Sequence, residues 1–377
     1  MAHIIKYYPV GSADCSLVKL SNGKTIIIDC QITEVPKDKN GKAASFDVKK
    51  DILSQLSKKD GHPFVDLFIS THPHDDHCIG FGGNFYHGDP KDYDDEKNKD
   101  QIIIGELWIT PRGIGNNLAA SAEDIRKEAK RRRSLYDDSS TFKGSFGNYL
   151  RIIGYDKDKE FDSRYGYIPG TLVTNANGAS LNWLEIFIHA PFKEEVTDSK
   201  VTDDKNATSI VAQFAFKVEG EEGVKCRAIF GGDAEHGVWQ HILDNNQNEE
   251  KLQWNIFLAP HHCSWTFFNE CSNKDEVLPS ADDMMNKQIG SGAHIIASST
   301  IITKDCNTPP HIEAKQEYKK RLKNTSNFYC TADTNVKDEI AYPIEYHIDK
   351  NGKTLKSLVV PAGVESVSRP APRAGKE

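Results

Sequence analysis

The chain has 377 residues, of which 38% are hydrophobic and 27% are charged, and its formal net charge is −8. An isoelectric point near 6.0 argues against a dedicated nucleic-acid binder, because such proteins tend to be basic. No apolar run reaches the roughly 18 residues of a membrane span, so a globular protein with a substantial core is expected.

The start of the chain, Met1 to Lys6, enters a strand-like segment without the basic stretch, apolar core and cleavage site of a secretory signal. The eight cysteines are dispersed and form no C-x-x-C pair. This distribution favours reduced thiols in the core over a disulfide framework. We therefore predict a cytoplasmic protein.

The densest polar cluster is the run Thr71-His72-Pro73-His74-Asp75-Asp76-His77, which follows an apolar, strand-like segment at 65–70. Loops at the carboxyl ends of strands are held by a rigid sheet yet stay open to solvent. His72 and His74 are two residues apart and can reach one cation, and Asp76 and His77 can serve a second. Imidazole and carboxylate suit Zn²⁺, Mn²⁺ or Fe²⁺, so the run predicts a metal site.

Residues 84–180 are interpreted as an insertion near the active-site mouth, with a strand at 102–109 and a helix at 117–135. The helix carries a basic run from Arg126 to Arg133. Two interpretations stay open: a solvated helix face balanced by nearby acidic residues, or phosphate steering of a nucleic-acid strand. The residues predicted for steering are Lys130, Arg131, Arg132 and Arg133.

Further motifs follow in order. The H-x-H-x-D-H pattern at 72–77 resembles the signature of the metallo-β-lactamase superfamily. The segment 26–29 resembles that family's early strand ending in Asp29, 228–235 its later strand ending in Asp233, and 257–264 its final His motif. Gly-Asp-Ala-Glu at 232–235 and Pro-His-His-Cys-Ser at 260–264 are similar to the hydrolase domain of ComEC-type competence proteins. This resemblance covers about residues 3 to 350.

The resemblance implies an α+β protein with the αβ/βα four-layer sandwich of the metallo-β-lactamase fold. Residues 1–350 would form one hydrolase domain, and 351–377 the end of a C-terminal strand and a mobile tail. It also implies two divalent transition-metal ions, Zn or Mn. Their expected ligands are His72, His74, Asp76, His77, Asp233 and His262.

Other roles are also implied by the resemblance. Asp29 is expected to orient the His loop, with Asn206 and Ser264 contacting substrate or supporting the ligands. Catalytic roles are expected for Asp76, His261 and His311. Which of His261 and His262 binds metal stays open, and His311 could instead be a helix cap.

Two departures from the family pattern stand out. The turn that usually holds a third His for the first metal has Asn206 here, and His189 is an alternative replacement. Cys263 replaces the small Gly after the His pair, where it could pack as a buried thiol.

The expected function is a metal-dependent phosphodiesterase or nuclease that uses a bridging metal-bound hydroxide, with nucleic acid or a nucleotide as substrate. Hydrolysis of a carboxylic ester, thioester or lactam is the first alternative. An inactive, metal-stabilised binding module is the second. Because the ComEC transmembrane channel is missing from this sequence, no DNA-uptake role is implied, and a partner protein is a further hypothesis.

Overall fold

Strands dominate the chain, and most helices are short. The computed structural model describes residues 2–37, 39–41, 43–115, 118–154, 162–197, 206–246, 248–269, 274, 276–304 and 307–356. The predicted tail at 361–377 lies outside this part of the chain. Within it, no helix is both long and apolar enough to cross a lipid bilayer.

Runs of strands are separated by helices along the chain. The strands are β1 (His3–Tyr7), β2 (Ser16–Lys19), β3 (Thr25–Ile28), β4 (Ser57–Lys59), β5 (His62–Ile69), β6 (Ile103–Ile109), β7 (Tyr149–Ile153), β8 (Gly166–Tyr167), β9 (Leu172–Val173), β10 (Asn175–Ala176), β11 (Ala179–Ser180), β12 (Leu184–Ala190), β13 (Val211–Phe216), β14 (Cys226–Phe230), β15 (Ile256–Leu258), β16 (His294–Ala297), β17 (Phe328–Cys330), β18 (Val336–Lys337), β19 (Ile340–Ala341), β20 (Ile344–Asp349) and β21 (Gly352–Lys356). The helices are α1 (Val48–Gln55), α2 (Asp75–Cys78), α3 (Phe81–Asn84), α4 (Glu123–Asp138), α5 (Lys193–Thr197), α6 (His236–Asn245), α7 (Glu249–Leu252), α8 (Pro260–Cys263), α9 (Pro279–Asn286) and α10 (Ile312–Arg321). Short 3₁₀ turns lie at Pro90–Asp92, Pro111–Ile114, Ala120–Ala122, Asn206–Thr208 and Trp265–Phe267.

Two large mixed sheets contain most of the strands. The ten-stranded sheet has the order β21-β20-β1-β2-β3-β5-β6-β7-β8, with β4 paired to β5. The seven-stranded sheet has the order β17-β16-β15-β14-β13-β12-β9. In each sheet a parallel half adjoins an antiparallel half. The chain is therefore a mixed α/β protein, in agreement with the predicted α+β class.

The apolar side chains form three buried clusters, because successive strand residues point to opposite faces of a sheet. One cluster joins the two sheets, with Ile26 and Ile28 from β3 together with Ala228 and Phe230 from β14. The intervening Ile27 belongs to a second cluster, which also contains residues of α4. A third cluster joins the outer face of β14 and β15 to α6, α9 and α10.

The predicted strands at 26–29, 65–70 and 102–109 are confirmed as β3, β5 and β6. Residues 84–180, which we predicted as an insertion over the mouth, contribute β6, β7 and β8 to the larger sheet. Most of this stretch is therefore integral to the fold. Part of it does lie beside the His loop, since Ser121 Oγ donates a hydrogen bond to Asp75 Oδ1 (2.6 Å).

The predicted helix at 117–135 begins later, at Glu123, and its basic residues are mostly paired. Arg132 is only 1% exposed, and it bonds Glu128 and the backbone oxygens of Ile104 and Tyr149. A buried guanidinium cannot meet a phosphate, so the steering role predicted for Arg132 is wrong. Arg131 also pairs with Glu128, whereas Lys130 is exposed.

Candidate metal centre

The two sheets bring their polar strand ends together at one edge. The His loop follows β5 in the larger sheet, while Asp233 follows β14 and the His pair follows β15 in the smaller one. The hydrogen bonds that join these halves include one from Ile210 N to Thr71 O (3.0 Å) and one from Ser298 Oγ to Ala13 O (2.6 Å). The candidate ligands therefore come from both sheets.

Asp29 holds the His loop in place. Its carboxylate accepts hydrogen bonds from Thr71 N (2.7 Å) and from Thr71 Oγ1 (2.6 Å). It also lies 2.8 Å from His77 Nδ1, so the ring donates from Nδ1 and turns the lone pair of Nε2 towards the site. A carboxylate behind an imidazole in this way is a common support for a metal ligand.

Asp233 is the centre of the cluster. His72 Nε2 lies 3.4 Å from its Oδ2, and His77 Nε2 lies 3.1 Å from its Oδ1. His262 Nε2 approaches both Asp76 Oδ2 (3.2 Å) and Asp233 Oδ1 (3.7 Å), while its Nδ1 donates to Ser298 O (3.1 Å). The structure thus brings five of the six predicted ligands into one cluster, in which all but the partly exposed Asp76 are buried.

The sixth predicted ligand, His74, lies beside His72. Its Nδ1 is 3.1 Å from His72 Nε2, and the two rings meet edge to face. The side chain is partly exposed. His74 is therefore at the solvent side of the cluster, next to the His72 and Asp233 pair.

Unbonded buried atoms show that the cluster fits a cation. His77 Nε2 and both carboxylate oxygens of Asp233 are buried, and although His77 Nε2 lies 3.1 Å from Asp233 Oδ1, these atoms form no hydrogen bond of good geometry among the described residues. Leaving such atoms unsatisfied is costly, and a bound metal ion removes that cost. Two sets of ligand atoms lie within 4.8 Å of one another: Asp14, His77, Asp233 and His262, and His72, Asp76, His77 and Asp233.

The electrostatics favour added positive charge. Burial lowers the pKa of His77, but Asp233 and Asp29 outweigh it and hold that pKa well above its ordinary value. Burial raises the pKa of Asp233, yet the neighbouring imidazoles, His77 foremost, hold it well below its ordinary value. For His72, burial dominates and lowers the pKa. The carboxylates at the centre therefore stabilise a cation.

The backbone at the His pair is strained. His261, His262 and Cys263 have φ values of 49°, 54° and 69°, a left-handed region that costs non-glycine residues of order 1 kcal/mol each. Hydrogen bonds hold this turn: His261 N donates to Gly232 O (3.1 Å), and Ser264 N donates to Pro260 O (3.3 Å). Strain of this kind gathers at functional sites.

His311 supports this turn through its ring and its backbone. Its Nδ1 accepts a hydrogen bond from Trp265 N (2.9 Å), and its own N–H donates to Cys263 O (3.0 Å). The side chain is buried. The structure thus gives His311 a supporting position beside this turn, and the alternative prediction of a helix-cap position agrees with α10 beginning at the next residue.

His189 faces away from the cluster as well. Its Nε2 donates to Lys251 O (3.0 Å), and its Nδ1 accepts from Asn246 Nδ2 (3.3 Å). Both ring nitrogens are engaged on the outer face of the smaller sheet. His189 therefore does not replace the third His, contrary to the alternative raised from the sequence.

The other predicted residues support the His pair. Asn206 Nδ2 donates to Glu235 Oε1 (3.2 Å). Ser264 Oγ accepts from Thr266 N and lies 3.1 Å from Thr266 Oγ1, and that hydroxyl is 3.4 Å from His261 Nδ1. Ser264 thus reaches His261 through Thr266.

Sequence reasoning missed Asp14 and Glu235 as site residues. Asp14 is buried, 3.9 Å from His262 Nδ1 and 4.0 Å from His77 Nδ1, and burial raises its pKa to about 6. Glu235 Oε1 lies 3.4 Å from His261 Nδ1. Glu235 falls in the Gly-Asp-Ala-Glu motif at 232–235 that carried the family resemblance, which was the available signal for it.

No model of a known protein family matches the chain, and no curated protein resembles it significantly.

Proposed function

We propose that this chain is a metal-dependent hydrolase of the metallo-β-lactamase fold that cleaves phosphodiesters, with a nucleotide or nucleic acid as substrate. The observation that carries the proposal is the convergence of His72, Asp76, His77, Asp233 and His262, with His77 Nε2 and both Asp233 oxygens forming no hydrogen bond of good geometry among the described residues. A site that served structure alone would close around its ion with four ligands, whereas this one offers more and includes partly exposed groups.

The ligands fall into two groups around Asp233. His72 and His74 would hold one divalent ion, Zn or Mn, and Asp76, His77 and His262 a second, with Asp233 shared. When bound, two such ions supply a nucleophile from water near neutral pH and stabilise negative charge on the reacting group. Asp29 and the Ser298 carbonyl fix the tautomers of His77 and His262 so that Nε2 faces the ions.

The preference for phosphodiesters depends on the likeness of 232–235 and 260–264 to ComEC-type hydrolase domains. In this proposal an anionic strand is steered by the exposed Lys130 and by the partly exposed Arg131 and Arg133. Hydrolysis of an ester or lactam is the competing outcome of the test below.

The test is hydrolysis of bis-p-nitrophenyl phosphate by purified protein with added Mn²⁺ or Zn²⁺. Asp76→Ala and Asp233→Ala should each lower the rate by more than about 100-fold, since losing even an outer partner of a metal ligand costs 10–100-fold. The matched control is Asp75→Ala, which removes the adjacent, exposed carboxylate and should change the rate less than about threefold.

Three outcomes would overturn the proposal: full activity in metal-free protein, equal losses in the Asp75 and Asp76 variants, or cleavage of p-nitrophenyl acetate or a lactam without any phosphodiester. A parallel screen of single-stranded DNA, duplex DNA, RNA and cyclic nucleotides would identify the substrate class.

A further inference from the structure

The first ion of the proposed site has an incomplete ligand set at one position. Asn206 stands where the family pattern places a third His, and its amide nitrogen donates to Glu235 (3.2 Å). This hydrogen bond engages the amide nitrogen, and the amide oxygen of Asn206 is a neutral, weaker donor to a cation than an imidazole. A neighbouring imidazole would complete this side of Asp233 more strongly.

His261 occupies that side. Its Nε2 lies 3.8 Å from Asp233 Oδ2, the same oxygen that His72 Nε2 approaches at 3.4 Å. The next residue, His262, approaches the other oxygen, Oδ1, at 3.7 Å. The two neighbouring imidazoles therefore approach different oxygens of one carboxylate.

The left-handed backbone explains how adjacent residues can do this. Successive side chains of an extended strand point to opposite faces, so two neighbouring His residues there could not both meet Asp233. With φ near 50° at both positions, the turn is tight enough to present both rings. Three hydrogen bonds maintain it, from His261 N to Gly232 O, Ser264 N to Pro260 O, and His311 N to Cys263 O.

The outer nitrogen of His261 is also held as a ligand's would be. Its Nδ1 lies 3.4 Å from Glu235 Oε1 and 3.4 Å from Thr266 Oγ1. A metal-bound His usually donates its second N–H to a carboxylate, which fixes the tautomer and directs the other nitrogen to the ion. The Glu235 carboxylate lies beside His261 Nδ1, as the Asp29 carboxylate lies beside His77 Nδ1.

We propose that His261 is the third imidazole of the first ion, held by Glu235 as its positioning residue, and that His262 serves the second ion. This depends on the proposed two-metal function. Both histidines are then ligands, one for each ion, whereas the sequence analysis expected only one of the two to bind metal.

The test is metal content, measured after dialysis into metal-free buffer and back-titration with Zn²⁺. His261→Gly removes the imidazole and suits the backbone, because glycine adopts a positive φ without strain. This variant should retain the second ion tightly, where the unaltered chain binds two ions, and should bind the first ion at least about 100-fold more weakly. His262→Gly should likewise retain one.

The double variant is decisive. If each His serves a different ion, His261→Gly combined with His262→Gly should bind no ion tightly. If both losses fall on the same ion, the double variant should still bind one, and the assignment is overturned. Two tightly bound ions in His261→Gly would also overturn it and would make His261 a substrate contact.

Glu235 provides an independent measurement. Glu235→Ala should weaken the first ion by 10–100-fold, while Glu235→Gln, which keeps an oxygen to accept from His261, should recover most of that affinity. Equal losses in both variants would contradict a positioning role. His241→Ala, on the outer helix α6, is the control and should leave both ions in place.

The failures are distinguishable. If the unaltered chain binds fewer than two ions, the proposed function fails and this inference fails with it. If the unaltered chain binds two ions and His261→Gly does too, only this inference fails.

Discussion

Three histidines of the candidate site differ electrostatically from the buried His189. His77, His261 and His262 face Asp233, and although burial lowers the pKa of each, the carboxylate outweighs it and raises the pKa above the ordinary value. For His189 burial dominates, and its pKa falls to about 4. The same side chain is therefore favoured as a cation in one place and as a neutral group in the other.

His189 predicts a specific loss of stability in acid. The unfolded chain takes up this proton near pH 6.5, whereas the folded chain resists until about pH 4, so the unfolded state binds more protons between these values. The free energy of unfolding should therefore fall as pH drops from 6.5 to 4, by about 3 kcal/mol from this residue alone. Above pH 6.5 the contribution vanishes.

Urea denaturation of metal-free protein at pH 7 and pH 4.5 measures this effect. His189→Gln should lose clearly less stability on acidification than the unaltered chain. His62→Gln, a partly exposed position in β5, is the control and should behave like the unaltered chain. An unchanged acid sensitivity in His189→Gln would refute the assignment.

At the scale of elements, α4 shows how a basic run can be structural. Arg132 bonds Glu128 on its own helix and backbone oxygens of β6 and β7, so it ties the helix to the edge of the larger sheet. Its neighbours Arg126 and Arg131 pair with Glu123 and Glu128 one turn earlier. The basic residues of α4 thus serve more to anchor and stabilise the helix than to form a positively charged surface.

Removing Arg132 should therefore damage folding before it affects any substrate. Arg132→Ala leaves Glu128 as a buried carboxylate with one partner fewer, which costs about 3–5 kcal/mol when a buried ion pair is broken. Lys130→Ala, exposed on the same helix, should change stability by less than about 0.5 kcal/mol. Chemical denaturation of both variants checks this, and similar losses in the two would contradict the anchoring role.

The elements that could be predicted from sequence are those whose signal is local. β3, β5 and β6 read as short apolar runs, and the His loop after β5 was evident from its spacing. The burial of Arg132 could not be predicted from the sequence, because its hydrogen bonds are to carbonyl oxygens 17 and 28 residues away in sequence. The supporting position of His311 could not be predicted for the same reason, since its ring accepts a hydrogen bond from a backbone amide 46 residues earlier. Long-range hydrogen bonds leave no pattern in a single sequence.

At the scale of the whole molecule, the centre joins two sheets. Asp29 and the His loop belong to the ends of β3 and β5, while Asp233 and the His pair follow β14 and β15. Ions bound there would add a link between the two halves. Because the unfolded chain lacks this convergence, binding energy at the centre adds to folding stability.

Metal should consequently raise the melting temperature. Free Zn²⁺ or Mn²⁺ at 100 times its dissociation constant adds about 2.7 kcal/mol per site, which for a chain of this length corresponds to an increase of a few degrees. Scanning calorimetry with and without chelator measures it. Asp233→Asn should abolish the increase, and Asp244→Asn, exposed on α6, should preserve it; an increase that survives in Asp233→Asn would place the ions elsewhere.

The contact between Asp76 and His262 joins residues 186 positions apart, and this separation bears on which metal the proposed centre would acquire. During synthesis the His loop emerges long before its partners, so the nascent segment offers only a few flexible ligands that rank ions by intrinsic affinity, with copper preferred over zinc and manganese. The finished centre instead imposes a fixed number and arrangement of nitrogen and oxygen donors. Selection of the ion is therefore deferred until about two thirds of the chain has been made, when shape as well as affinity decides.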